Sequence, residues 1–166
     1  MSSGSLAAQV GPEAGMADSE TIKRYLGYLN DERNSAAIYS RLAEAEKDER
    51  LSGVYRRLSE TELSHAATWE AKLREAGVEP PEFKLSWRSR AVIWVATHFG
   101  IETALPTLIS GEDSATGGYG REAGAGEMAA SEKSHARLLK QIGGTSRAGV
   151  EGAALARLEG RHRATG

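Results

Sequence analysis

The sequence predicts an all-α fold, and three observations carry that prediction. Apolar residues recur at three- and four-residue intervals through most of the chain, the spacing of one face of a helix. No segment alternates apolar and polar residues in the two-residue period of a half-buried strand. In each of four candidate helices the apolar stripe is interrupted by a Glu, which buried faces avoid unless its charge is answered.

The bulk properties narrow the field. At 166 residues the natural expectation is one domain with a proper core. A net charge of −2 gives no electrostatic reason to expect nucleic acid as a partner. There are no cysteines, which excludes disulfides, thiolate metal sites and iron–sulfur clusters. Any metal chemistry must therefore use His and carboxylate. The longest apolar run, AVIWVA at 91–96, is far short of a membrane span. Residues 1–17 are rich in Gly, Ser and Ala and lack the basic start and apolar run of a signal peptide. They are expected to form a disordered leader.

The first helix is predicted to start at Asp18-Ser19-Glu20, with Asp18 or Ser19 as N-cap. Its stripe is Ile22, Tyr25, Leu29, Ala36, Tyr39 and Ala43, and Glu32 fills the gap between Leu29 and Ala36. The polar run EKDER at 46–50 breaks the pattern. The second helix carries Leu51, Tyr55, Leu58, Glu62, His65, Trp69 and Leu73, and ends at Ala76-Gly77, where Gly favours a C-terminal cap. VEPPEFKLSW comes next, a connection that its prolines keep from being helical throughout.

A third helix is predicted over 88–110, kinked at Pro106, with Gly111, Gly117, Gly118 and Gly120 lowering helix propensity beyond it. Its stripe Leu105, Leu108, Glu112, Ala115 and Tyr119 offers Glu112. A competing stripe through His98, Glu102, Leu105 and Ile109 offers Glu102 instead. His98 itself is expected to be an interfacial histidine, and His162 a solvated one. The last core helix is predicted over 123–142, with Met128, Glu132, His135, Leu139 and Ile142 on its stripe. A Gly-rich break beginning at Gly143 and a flexible basic tail over 144–166 are expected. The division expected is thus a leader at 1–17, a folded domain at 18–143 and the tail.

ELSH at 62–65 and EKSH at 132–135 are both Glu-x-x-His within these stripes. Residues i and i+3 share a helix face, so both side chains reach the same interior point. One Glu from each of two helices plus Glu-x-x-His from each of two others is the ligand set of a di-metal site in a bundle core. Glu32, Glu62, His65, Glu112, Glu132 and His135 fill that set, with Glu102 as the alternative to Glu112. Four carboxylates balance two divalent cations in charge, and without cations they repel one another. A single Glu-x-x-His is common by chance. Here each copy is preceded by a Glu with a Tyr two turns later, Glu32–Tyr39 and Glu112–Tyr119. Those phenols are placed to hydrogen-bond a ligand carboxylate on a neighbouring helix. The midpoints between paired ligands, residues 47 and 122, fall on turn-like sequence, as antiparallel hairpins require.

These residues resemble the rubrerythrin branch of the ferritin-like superfamily over about 20–142. The segments RYLGYLNDERNSAAIYSRLAEAEKD, RRLSETELSHAATWEAKLREAG and MAASEKSHARLL are similar to the ferritin-like domain fused ahead of a vacuolar-iron-transporter-type membrane domain. The resemblance implies a cytoplasmic ferritin-like four-helix bundle holding two iron ions, with manganese or zinc as substitutes. It implies ferroxidase-type oxidation of Fe(II) by dioxygen or peroxide, in iron storage, detoxification or delivery to a covalently linked membrane iron transporter. A homodimer is expected as well, since the short second hairpin gives a second copy a way to complete the bundle. The tail at 157–163 would lead to the membrane domain and tether the protein there. The missing cysteines depart from rubrerythrin, whose rubredoxin module delivers electrons for peroxide reduction. An iron-sensing and dimerisation module with little turnover, a rubrerythrin-like peroxide-reducing protein, and a bundle whose Glu and His residues merely pair with each other are the rival expectations.

Overall fold

The chain's structure, a computed structural model, describes the backbone of residues 18–163 and the side chains of 18–145. The expectations for the 1–17 leader and for the His162 side chain lie outside the described residues. All regular structure among the described residues is helical: α1 Ser19–Ala45, α2 Glu49–Glu75, α3 Trp87–Phe99, a 3-10 turn Ile101–Thr103, α4 Leu105–Tyr119 and α5 Gly126–Arg163.

The helix ends obey capping chemistry. Asp18 caps α1 by accepting from the Thr21 amide at 2.7 Å. Asp48 caps α2 by accepting from the amides of Arg50 and Leu51. The α2 C-terminus closes with Gly77 N–H donating to Arg74 O and Val78 N–H to Leu73 O, the Schellman arrangement. Gly77 has φ +77, and a Cβ there would meet nothing within 4 Å. Gly77→Ala is therefore expected to cost about 1 kcal/mol through backbone strain alone. The denaturant midpoint should fall at unchanged m-value, and an unchanged midpoint would refute the strain argument.

Two antiparallel pairs, α1 with α2 and α4 with α5, make up the helical bundle. α2 comes close enough to α1 for Ser52 and Ser59 hydroxyls to donate to the carbonyls of Ala43 and Ala36. The connection from α2 to α4 is tied to α1. Arg33 donates to Pro81 O and pairs with Glu70, while Asn34 Oδ1 accepts from the Ser86 amide and the Ser89 hydroxyl. That fixes α3 along the side of α1.

The core is two apolar clusters. One gathers Ile38, Tyr39, Leu42, Tyr55, Leu58, Leu105, Leu108, Leu139 and Ile142. The other gathers Leu29, Ala66, Trp69, Leu73, Tyr119 and Met128. In each of the four bundle helices a buried Glu falls along the sequence between residues of the two clusters or beside them: Glu32, Glu62, Glu112 and Glu132.

Two sequence expectations are corrected. The helix expected over 88–110 with a kink at Pro106 is two helices. It stops at Gly100, whose φ of +97 no helix accommodates, and Pro106 stands in the first turn of α4, where its missing N–H has no intrahelical partner to lose. The break expected after 142 is absent, because α5 runs on through Gly143 and Gly144 to Arg163. Gly143 is a packing glycine: a Cβ there would stand 3.3 Å from Leu105 Cδ1 of α4. No described helix is long and apolar enough to cross a membrane.

Candidate metal centre

Each bundle helix delivers its polar residues by continuing its apolar stripe. Leu29 and Ala36 bracket Glu32; Leu58 and Trp69 bracket Glu62 and His65; Leu108 precedes Glu112; Met128 and Leu139 bracket Glu132 and His135. All six side chains are buried. They meet as two groups, Glu32, Glu62, His65, Glu132 and Glu62, Glu112, Glu132, His135, with the ligand atoms of each group within 4.8 Å of one another.

Glu62 and Glu132 belong to both groups, and their oxygens divide accordingly. Glu62 Oε1 lies 2.9 Å from His135 Nδ1, and Oε2 lies 3.7 Å from His65 Nδ1. Glu132 Oε1 lies 2.8 Å from His65 Nδ1, and Oε2 lies 3.8 Å from His135 Nδ1. Glu32 Oε1 joins the His65 side at 3.7 Å, and Glu112 Oε2 the His135 side at 3.5 Å. Each shared carboxylate thus offers one oxygen to each group, as a bridging ligand does.

The close approaches are not hydrogen bonds. Glu62 Oε1, Glu112 Oε2, Glu132 Oε1 and the Nδ1 atoms of both histidines are buried without a hydrogen-bond partner. Native cores rarely leave such atoms unmet, and each costs about 1–3 kcal/mol. Five orphaned atoms converging on two points is the donor arrangement a pair of cations satisfies.

The tyrosines bind across the bundle and reciprocally. Tyr119 of α4 donates to Glu32 Oε1 of α1, and Tyr39 of α1 donates to Glu112 Oε1 of α4. Two residues of one helix can meet two of another in reversed order only if the helices are antiparallel. The phenols therefore fix both the direction of α4 against α1 and the placement of two carboxylates. Burial and the facing carboxylate push both phenol pKa values up, so each remains a donor.

Electrostatics within the cluster are severe. Burial pushes the Glu32 carboxyl up to about 8 and Glu132 up to about 9. Burial opposes charge on Glu62 too, yet contact with both imidazoles outweighs it and holds this carboxylate low. Burial would lower both histidines. Contact with Glu132, Glu32 and Glu62 instead raises His65 to about 11, and contact with Glu112 and Glu62 raises His135 to about 10. The cluster by itself therefore holds protons where a cation would otherwise stand.

Glu102 does not join the cluster. It is exposed on the 3-10 turn, because the break at Gly100 resets the helical phase that put it on a stripe. His98 is also exposed, not interfacial, with Nδ1 2.9 Å from Trp94 O. The glycines after Glu112 do not unravel α4, which stays helical to Tyr119. A second copy is not needed to assemble the set, since one chain supplies all six residues. Sequence reasoning missed Ser131, whose hydroxyl lies 3.3 Å from His135 Nε2 and can hold the ring with Nδ1 inward. Its signal was its place four residues before His135.

Between α1 and α4 a cavity of about 500 Å³ reaches Glu32, Glu62, Glu112 and Glu132 and both tyrosines. The centre is therefore open to small ions and molecules from one side.

Compared with protein-family models, curated proteins and solved structures, the chain matches none.

Tyr119→Phe and Tyr39→Phe should each weaken one metal position by about 10-fold, the usual scale for removing a group that orients a ligand. Competition against a chromophoric chelator measures this, and unchanged affinity in both variants would remove the orienting role.

Proposed function

We propose that the chain is a ferritin-like four-helix bundle that binds two Fe(II) ions and oxidises them with dioxygen or peroxide. The observation that supports this most is the pair of four-residue groups sharing Glu62 and Glu132, one carboxylate oxygen turned to each side. Carboxylate and imidazole together suit iron and manganese, with zinc a feasible substitute. Ferrous ions held by these residues would each give one electron to a common acceptor. The chain's own part is positional: the carboxylates and imidazoles hold the ions, Tyr39 and Tyr119 fix Glu112 and Glu32, and the cavity admits ion and oxidant. Oxidised iron would be stored, detoxified or passed to a membrane transporter fused to this domain in a longer protein.

Anaerobic titration with Fe(II) should saturate at two ions per chain, and admitting air should produce ferric absorbance. Absence of binding, with melting unmoved by Fe(II), Mn(II) or Zn(II), would leave only a bundle whose inward residues answer each other. One observation favours a sensing role beside turnover. Glu132 and His135 stand on the same unbroken helix that continues to Arg163, so a shift at the centre is carried along α5. Slow oxidation accompanied by a metal-dependent change in α5 would support that second reading.

A further inference from the structure

α3 has two apolar faces, and the bundle uses only one. Ser89, Val92, Ile93 and Ala96 face inward, the first and last buried and the other two packed against the core. The opposite side carries Trp87, Ala91, Trp94 and His98, a stripe roughly 60° wide at 100° per residue. Trp87 is 73% exposed and Trp94 53%, and Phe99 beside them is 65% exposed. Trp94 stacks on His98 and meets Phe99 edge-on, one aromatic group at the C-terminal end of the stripe, while Trp87 stands exposed at its start with the Arg88 guanidinium over its ring.

Its charge is one-sided. Arg88 and Arg90 flank the stripe on its two sides, and Lys84 stands just ahead of it, all exposed. No acidic residue occurs between Phe83 and Ile101. No ion pair among the described residues involves these three cations. Soluble surfaces rarely leave two tryptophans and a phenylalanine in one exposed patch without a partner.

We propose that the outer face of α3 docks on an anionic lipid surface, with Trp87, Trp94 and Phe99 at the headgroup level and Arg88, Arg90 and Lys84 against lipid phosphates. Aromatic residues beside arginines on one helical face are what an interfacial helix requires. The cationic flanks favour this occupant over a second copy. A two-fold contact through the face would bring Arg88 and Arg90 near their own counterparts, with no carboxylate within the face to answer them. The helix is already formed and held to α1 through Asn34, so docking orders nothing new. The inference is independent of what the metal centre does.

Sedimentation with vesicles tests it. Phosphatidylcholine containing about a quarter phosphatidylglycerol should bind the protein roughly tenfold better than phosphatidylcholine alone, and raised salt should weaken the difference. Brominated acyl chains should quench tryptophan emission. Trp87→Ser with Trp94→Ser should lower binding roughly tenfold. Arg88→Glu with Arg90→Glu should abolish the preference for anionic vesicles. All four substitutions are on exposed positions, and circular dichroism confirms that the variants fold. No binding to the anionic vesicles overturns the proposal, as does binding indifferent to both double variants. A dimer in sedimentation velocity that the tryptophan variant dissociates, without vesicle binding, assigns the face to a second copy and overturns it equally.

Discussion

Glu62→Gln should empty both metal positions at once, whereas Glu32→Gln and Glu112→Gln should each empty one. The difference comes from the carboxylate's place in the cluster. Glu62 turns Oε1 to His135 and Oε2 to His65, so it is shared by both groups, while Glu32 and Glu112 belong to one each. Gln keeps the volume and one oxygen but removes the charge and the second acceptor, so it cannot bridge two cations. Each position also loses a counter-charge, leaving three carboxylates against two divalent ions. A loss of at least roughly 100-fold at both positions is expected, because losing a ligand should exceed the cost of losing a group that only orients one. Metal analysis after gel filtration gives the numbers: about two ions for the parent chain, about one for the Glu32 and Glu112 variants, and none retained by the Glu62 variant. A Glu62→Gln protein that still holds two ions would end the bridging assignment.

The buried cluster of Glu and His was legible because the helices that carry most of it are long and unbroken. In α1, α2 and α5 a single helical phase runs through the whole stripe, so Glu32, Glu62, His65, Glu132 and His135 could be placed by counting from Leu29, Leu58, Trp69 and Leu139. The tyrosines were legible for the same reason, two turns beyond their Glu. Counting fails across a break. Glu102 counts in phase with α3 along the sequence, but the break at Gly100 ends that phase before Glu102 is reached, and only the folded chain shows that Glu112 belongs to the interior set. The same limit hid the two-faced nature of α3, since a helix with apolar residues all round reads as core until its neighbours are known. Gly143 misled in the opposite direction. Its lack of a side chain reads as a helix break, while its use is to let Leu105 approach. Ser131 was invisible because a hydroxyl four residues from a histidine is unremarkable until the ring's orientation matters.

Cations should also stabilise the fold strongly, and more so as pH rises. An ion that binds only the folded chain adds RT ln(1 + [M]/Kd), about 2.7 kcal/mol at a hundred times Kd, and two ions roughly double it. For a domain of this size that raises Tm by about 15 °C. The pH dependence has opposite origins in the two forms. Without cations, His65 and His135 keep their protons to about 11 and 10, and Glu32 and Glu132 to about 8 and 9, all above their unfolded values. The folded chain then holds more protons than the unfolded one. The stability these groups add is fully present below the unfolded pKa values and is lost as pH rises through the folded ones. Between about pH 5 and 9 the metal-free protein should therefore weaken, with Glu62, held low, contributing little in that window. Loading requires ionised carboxylates and neutral imidazoles, so it expels those protons, and apparent affinity rises with pH. The gap in Tm between loaded and metal-free protein should widen from about pH 6 toward about pH 8, read by scanning calorimetry with Mn(II) under anaerobic conditions. A gap that is constant with pH would mean that no protons leave on loading, and that the ions sit elsewhere than among these six side chains.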